Sequence, residues 1–293
     1  MRAELEQALE ALRKQEPGGI DRALLLLQKT VFSFSMRVCG QREDAEDTMQ
    51  ETLLNTVSRL SNFQSAKALG VWLYKVAKSK CLMSRRRSKF APTQRLSLEV
   101  LMPDRNELEG EFVSDFESPD GALLRRERAD QLQKAIQKLP PAFRLVLVLH
   151  DMEELSTEEV ARVTGLREGT VRVRLHRARV FLRNELAGSH RRKASPRPGG
   201  APDNRCRMLF SELSAYLDGG LDPAICRELE VHLDNCRPCQ VFLRSLESTV
   251  KRLRRQAPAK LDARRAAKLR AKLQLACGQA IGACRASETR PSG

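Results

Sequence analysis

Aromatic residues make up only 4% of this 293-residue chain, with one Trp and two Tyr, and runs of alternating β-branched residues are nearly absent. That removes the usual signature of strands, so an all-α fold is expected. Long apolar runs are missing as well. Stretches such as Leu24 to Leu27 and Leu145 to Leu149 fall far short of the ~20 residues a membrane-spanning helix needs. No apolar core follows Met1-Arg2-Ala3-Glu4-Leu5-Glu6, so no signal peptide is read there, and a cytoplasmic protein without membrane attachment is implied. Acidic residues are in deficit, 37 against 52 Lys plus Arg, for a net charge of +15. A polyanion is the natural partner of such a chain. Also absent are paired carboxylates in a plausible pocket, a Gly-rich phosphate loop and a Ser or Cys nucleophile with a matched base, which speaks against an enzyme. In a reducing compartment the eight cysteines read as metal ligands or redox thiols rather than structural disulfides.

Two stretches lack a sustained period and read as linkers: 91–127, with Pro92, Pro103, Gly110 and Pro119, and 188–202, rich in Pro, Gly, Ser and Arg. They leave helical domains over 20–90, 128–187 and 203–256, followed by a basic tail over 257–293 that carries Cys277 and Cys284.

The segment Leu155 to Arg179 is the most informative. Ser156 followed by Glu159 has the form of a capping box, so a short helix should run to Gly165, and a second should begin near Thr170. Along that second helix Val171, Leu175, Ala178, Leu182 and Leu186 recur as a buried stripe, while Arg172, Arg174, His176, Arg177, Arg179 and Arg183 fall largely on the other faces. Two helices joined by a tight Gly-containing turn, the second backed by apolar residues and faced with guanidinium groups, suit a DNA major groove. With Leu139-Pro140-Pro141-Ala142-Phe143-Arg144 before it and Gly169-Thr170-Val171-Arg172 within it, the stretch from 128 to 187 resembles the sigma-four domain of extracytoplasmic-function (ECF) sigma factors. The resemblance implies that Arg167, Thr170, Arg172, Arg174, His176 and Arg177 contact the minus-thirty-five promoter element.

In the first domain, Ala45, Met49, Leu53 and Val57 recur every fourth residue, and Glu43, Asp47, Gln50, Glu51 and Leu54 share another face. Leu69, Trp72, Leu73 and Val76 should pack inward on a later helix, with Lys75, Lys78 and Ser79 facing out. Basic residues interleaved with Trp72 and Tyr74 suit a surface that separates or tracks nucleic-acid strands. These segments are similar to the sigma-two domain of the same family. That likeness implies that Asp44, Asp47, Gln50 and Glu51 bind the clamp helices of the RNA polymerase β′ subunit, and that Trp72, Lys75 and Lys78 face the minus-ten element. Ser79 and Met83 stand where the family commonly has Asn and Asp.

In the third domain His232, Cys236 and Cys239 are separated by four and three residues, which is metal-ligand spacing. His232 should lie in the last turn of a helix opened by Asp222-Pro223, and Pro238 should open the next. Cys206, on a preceding helix with Leu209, Leu213 and Leu217, is the best fourth ligand for a structural zinc ion. Cys226 lies six residues before His232, about 600° around a helix and so on another face. Cys226, Cys277 and Cys284 are candidates for a second metal or redox site, with copper or cadmium as the soft ion. The region 203–254 resembles a zinc-binding anti-sigma domain fused to its sigma factor, and the cysteine-rich tail is similar to that of metal-responsive (CorE-like) sigma factors. The whole implies a sigma factor that requires no separate anti-sigma factor if the fused domain regulates it. A stand-alone helix-turn-helix regulator with a zinc or redox sensing domain is the alternative, and the acidic helix over 43–54 argues against it.

Overall fold

The computed structural model describes residues 2–14, 19–57, 59, 62–86, 96, 122–188, 204–259, 261–264, 266, 267 and 271, and among them it contains helices and no strand. The all-α expectation holds. The described chain forms two compact units.

The first unit is a bundle of α1 (Arg2–Arg13), α2 (Gly19–Cys39), α3 (Arg42–Val57) and α4 (Ala66–Arg86). The α2 helix is its centre: Leu24, Leu27, Val31, Phe32 and Phe34 are all within 1% of full burial. Gly40, at φ 81, turns the chain sharply from α2 into α3. α1 packs close against α4, where a Cβ on Gly70 would stand 3.0 Å from Leu5 Cδ1. After the last long helix among the described residues, the chain returns to α2. The Ala259 N–H donates to Ser33 Oγ at 3.3 Å and Gln28 Nε2 to the Ala266 carbonyl at 3.5 Å.

The second unit carries α5 (Ala122–Lys138), α6 (Pro141–Leu147) continued by a π-helical turn (Val148–Met152), α7 (Thr157–Thr164, except its last three residues, which group with the first unit) and α8 (Glu168–Gly188). To these it adds α9 (Asn204–Phe210), α10 (Leu213–Leu217), α11 (Pro223–Asn235) and α12 (Arg237–Arg255). The C-terminal end of α5 leaves carbonyls without helical partners. Buried Arg144 satisfies them, donating from Nε to the Ile136 carbonyl at 3.1 Å and from Nη2 to that of Leu139 at 2.9 Å. The capping box forms in full: the Ser156 N–H donates to Glu159 Oε2 at 2.7 Å and the Glu159 N–H to Ser156 Oγ at 3.2 Å. Gly165 ends α7 in the left-handed region, φ 75, a conformation that disfavours side chains with a Cβ.

Two findings correct the expectations. Cys39 and Cys81 are joined as a disulfide, closing a loop of 42 residues between α2 and α4. Residue spacing could not pair two cysteines so far apart. On α4, Tyr74 rather than Trp72 is the buried aromatic, 1% exposed with its ring 4.9 Å from that of Phe34. Trp72 is half-buried at the surface of the bundle.

Reduction of the Cys39–Cys81 bond, or Cys39→Ser, is expected to lower the thermal midpoint of the first unit, because closing a loop of that length is worth about 4 kcal/mol in the chain-entropy account. Melts with and without a dithiol check this. Coincident midpoints would mean that the bond contributes nothing to stability.

Candidate polymerase, promoter and metal sites

On α3, Ala45, Met49 and Leu53 are buried as the four-residue period required. Asp47 and Glu51 are consequently exposed, with Asp44 and Gln50 half-buried beside them. Glu51 pairs with Lys80 of α4 at 2.5 Å, both side chains remaining open to water. Such a surface pair is worth little, so it leaves the carboxylate open to exchange for another cation. Lys75 is exposed and Lys78 half-buried. Burial and the neighbouring charge of Lys75 both push the Lys78 ammonium below its ordinary value. Trp72 lies under the Arg59 guanidinium, 4.8 Å from ring centroid to Cζ, and 6.1 Å from the Phe63 ring. Neither neighbour was singled out from the sequence as a partner for this ring, since both lie outside the amphipathic pattern of α4.

On α8 the expected stripe is buried throughout: Val171, Leu175, Ala178, Leu182 and Leu186 are at most 6% exposed. The polar side divides in two. Arg167, Thr170 and Arg172 are exposed, and Arg174 is half-buried. Val173, which charge patterning passed over because it is apolar, stands 48% exposed among them. Beyond Arg174 the helix is covered. His176, Arg179 and Arg183 were expected on the cationic outer face, yet they are 2%, 0% and 4% exposed. The cover comes from α9, α10 and α12, which local periodicity cannot anticipate.

Arg179 lies at the centre of that covered half. Its Nε donates to Asp151 Oδ2 at 2.8 Å and its Nη2 to Asp151 Oδ1 at 2.5 Å. A second fork reaches Asp218, from Nη1 to Oδ2 at 2.8 Å and from Nη2 to Oδ1 at 2.9 Å, and Nη1 also donates to the Ser214 carbonyl at 3.2 Å. Burial opposes ionisation of Asp151, but the Arg179 guanidinium and the hydrogen bonds from Arg179 and His150 outweigh it and hold the carboxyl well below the usual range. The His176 ring meets Phe210 edge-on at 5.2 Å and its Nδ1 lies 3.0 Å from Ser214 Oγ. Burial, then the charges of Arg179 and Arg177, hold its pKa down at about 4, so the ring is neutral near pH 7. Arg183 places its guanidinium over Phe242 at 4.5 Å and donates from Nε to Ser245 Oγ at 3.0 Å. Arg177 is half-buried and donates to the Leu96 carbonyl at 3.2 Å.

The metal-ligand spacing converges as expected. Asp222 caps α11, accepting from the Ala224 N–H at 2.8 Å, with Pro223 in the first turn. His232 falls in the last turn, Cys236 links α11 to α12, and Cys239 sits in the first turn of α12. Cys206 reaches in from α9. The four ligand atoms lie within 4.8 Å of one another. Cys206 Sγ is 3.6 Å from His232 Nε2 and 3.8 Å from Cys236 Sγ, and His232 Nε2 is 3.3 Å from Cys239 Sγ. A tetrahedral zinc ion with Zn–S of about 2.3 Å holds its sulfurs ~3.8 Å apart, so the donor set fits zinc. Burial, then the neighbouring Cys206 and Cys236, push the Cys239 thiol far above its ordinary value. A bound dication would remove that penalty by stabilising the thiolates. Cys226 lies apart, half-exposed, with its thiol 3.6 Å from Glu230 Oε1. Desolvation and the Glu230 carboxylate raise its pKa, which disfavours the thiolate. Cys277 and Cys284 lie outside the described residues.

Cys236→Ser or Cys206→Ser should weaken zinc binding by more than the ~10–100-fold that even an outer-shell partner is worth, and should lower the melting temperature. Elemental analysis and thermal melts check this. Full zinc content with an unchanged melt would contradict the assignment.

No helix among the described residues is long and apolar enough to cross a membrane. Three family models match the chain: "Sigma-70 region 2" over residues 25–90, "Sigma-70, region 4" over 129–182 and "Putative zinc-finger" over 206–240. The ECF RNA polymerase sigma factor SigW of Bacillus subtilis is 26% identical over 182 residues, 62% of this chain and 96% of that protein. The ECF RNA polymerase sigma factor SigE of Mycolicibacterium smegmatis is 35% identical over 158 residues, 54% of this chain and 57% of that protein. The RNA polymerase sigma-H factor of Pseudomonas aeruginosa is 31% identical over 185 residues, 62% of this chain and 93% of that protein. Among solved structures, the sigma factor RpoE in complex with the anti-sigma factor NepR from Bartonella quintana aligns at a TM-score of 0.41 and 20% identity, over 58% of this chain and 98% of that one. Region 2 falls on α2 to α4 and region 4 on α5 to α8, and the sequence likeness extends over nearly the whole of a sigma factor, so the chain belongs to the ECF RNA polymerase sigma factors, non-enzymatic initiation factors that bind core polymerase and direct transcription from promoters.

Proposed function

We propose that the first unit joins core polymerase through Asp44, Asp47, Gln50 and Glu51, engaging the β′ clamp helices, and presents Trp72, Lys75 and Lys78 to the minus-ten element. The second unit reads the minus-thirty-five element through the exposed end of α8, with Arg167, Thr170, Arg172 and Arg174 as its primary contacts and His176 and Arg177 available only when α8 is uncovered. The observation that carries this reading is the opposition of surfaces on one chain. An acidic exposed face on α3 has no use in binding DNA, whereas the start of α8, up to Arg174, carries exposed and half-buried arginines. The protein works in the cytoplasm, where core polymerase and promoters are.

The zinc-finger-like region, α9 to α12, acts as a regulatory part carried on the same chain, in place of a separate anti-sigma factor. Zinc at Cys206, His232, Cys236 and Cys239 holds α9 in position, and Phe210 at the end of that helix rests on His176 of α8. A metal response in addition to this structural ion would draw on Cys226, Cys277 and Cys284 with a soft ion such as copper or cadmium. Such an ion regulates only if it binds the active and inactive arrangements with different affinity.

Two outcomes test the two surfaces. Asp47→Lys with Glu51→Lys should weaken binding to core polymerase by about 10-fold or more, because like-charge juxtaposition at an interface costs several kcal/mol, while helicity stays unchanged. Equal affinities in a titration would refute the assignment of α3. Arg172→Ala or Arg174→Ala should lose either one base preference, worth ~1–3 kcal/mol for a bidentate contact, or affinity for all sequences with a shallower salt slope. Promoter binding unaltered by both changes would place the reading helix elsewhere.

A further inference from the structure

We propose that promoter DNA and the α9–α10 segment compete for the same half of the reading helix, and that Asp218 is the latch that decides between them. This rests on the reading of α8 as the promoter-contacting helix.

Three side chains of α8 turn from its cationic side into the zinc-finger-like region: His176 into Phe210 and Ser214, Arg179 into Ser214 and Asp218, and Arg183 into Phe242 and Ser245. A B-form major groove is about 12 Å wide, and a helix with its side chains is about 10–12 Å across. The groove therefore accepts α8 alone. With α9 and α10 lying along its flank from His176 onward, α8 can offer DNA only the turns up to Arg174. Deeper engagement, with His176 and Arg177 at the bases or phosphates, requires that flank to open.

The contact is built to separate. Asp151 and Arg179 both belong to the helices of region 4, and their ion pair survives undocking. Asp218 belongs to the covering segment and completes the other side of the same guanidinium. Its side chain is 17% exposed, within 3.9 Å of His150 Nε2 and 3.7 Å of Arg254 Nη2. A carboxylate forked onto an arginine occupies the geometry that a phosphate would take on that group, so the latch offers Arg179 the chemistry of the partner it displaces. Ser214 lies within the short α10 and Asp218 caps its C-terminal end, and that helix follows closely on α9, whose Cys206 is one of the four candidate metal ligands. The latch is thus held in register by the zinc site.

The test uses the full-length, zinc-loaded protein and fluorescent 30-base-pair duplexes of random sequence as the probe. Asp218→Lys should bind the duplexes about 10-fold more tightly than the wild type, within the range usual for coupled sites, and hydrogen exchange should rise across residues 176–186 of α8. Asp218→Glu should restore wild-type affinity. Because coupling is reciprocal, saturating duplex should also raise exchange in α9 and α10 of the unaltered protein, a measurement that needs no variant to fold. Competition is overturned if Asp218→Lys binds no more tightly, or if α9 and α10 stay protected in the wild-type complex, while Arg172→Ala still weakens binding. If Arg172→Ala has no effect in either background, the reading of α8 falls instead, and this inference falls with it.

Discussion

The guanidinium of Arg179 is the constraint around which the second unit is organised. A fully buried cation is tolerated only when its donors are matched, and here Asp151, Asp218 and the Ser214 carbonyl match them. One partner comes from the π-helical turn before the helix-turn-helix and the other two from the zinc-finger-like region. A single side chain therefore joins the region-4 helices to the zinc-finger-like region. Replacing Arg179 would take the guanidinium away from the fully buried Asp151 carboxylate, whereas Asp218 lies at the edge with Arg254 and His150 also near it, which is why the latch residue is the informative one to change.

A zinc ion at the four-ligand site would add to the stability of the small C-terminal region. The large apolar side chains that α9 to α12 bury are Leu209, Phe210, Leu213, Leu229, Leu233, Phe242, Leu246, Val250 and Leu253. A four-ligand centre adds the binding free energy of the ion to folding. An ion held there would also tie α9, through Cys206, to α11 and α12, and Phe210 at the end of α9 presents its ring to His176. Metal occupancy and the covering of α8 are two ends of one short stretch of chain.

Local chemistry was legible where its causes are local. The capping box at Ser156, the Asp222-Pro223 helix start and the ligands His232, Cys236 and Cys239 are all written within a turn or two of the residues concerned, while Cys206, 26 residues before His232, came from its place on an apolar-striped helix. The apolar stripes of α3 and α8 came directly from their periods. What escaped the sequence was cover supplied from a distance. His176, Arg179 and Arg183 look like outer-face residues because the segments that bury them lie 30 or more residues further on. Tyr74 and Trp72 exchanged roles because an amphipathic wheel gives the stripe but not how far neighbouring helices wrap around it. Cys39 and Cys81 meet only once α2 and α4 are packed, and no spacing rule reaches across 42 residues.

The central claim is that this chain is a sigma factor whose promoter-reading helix is covered by its own zinc-holding region. The most direct measurement adds the full-length protein, either zinc-loaded or stripped of zinc beforehand, to core polymerase on a genomic fragment library and maps the 5′ ends of the transcripts. The account predicts one set of start sites that depends on this chain, shared by both forms and used more by the stripped form. Transcripts that are the same with and without the protein would contradict it.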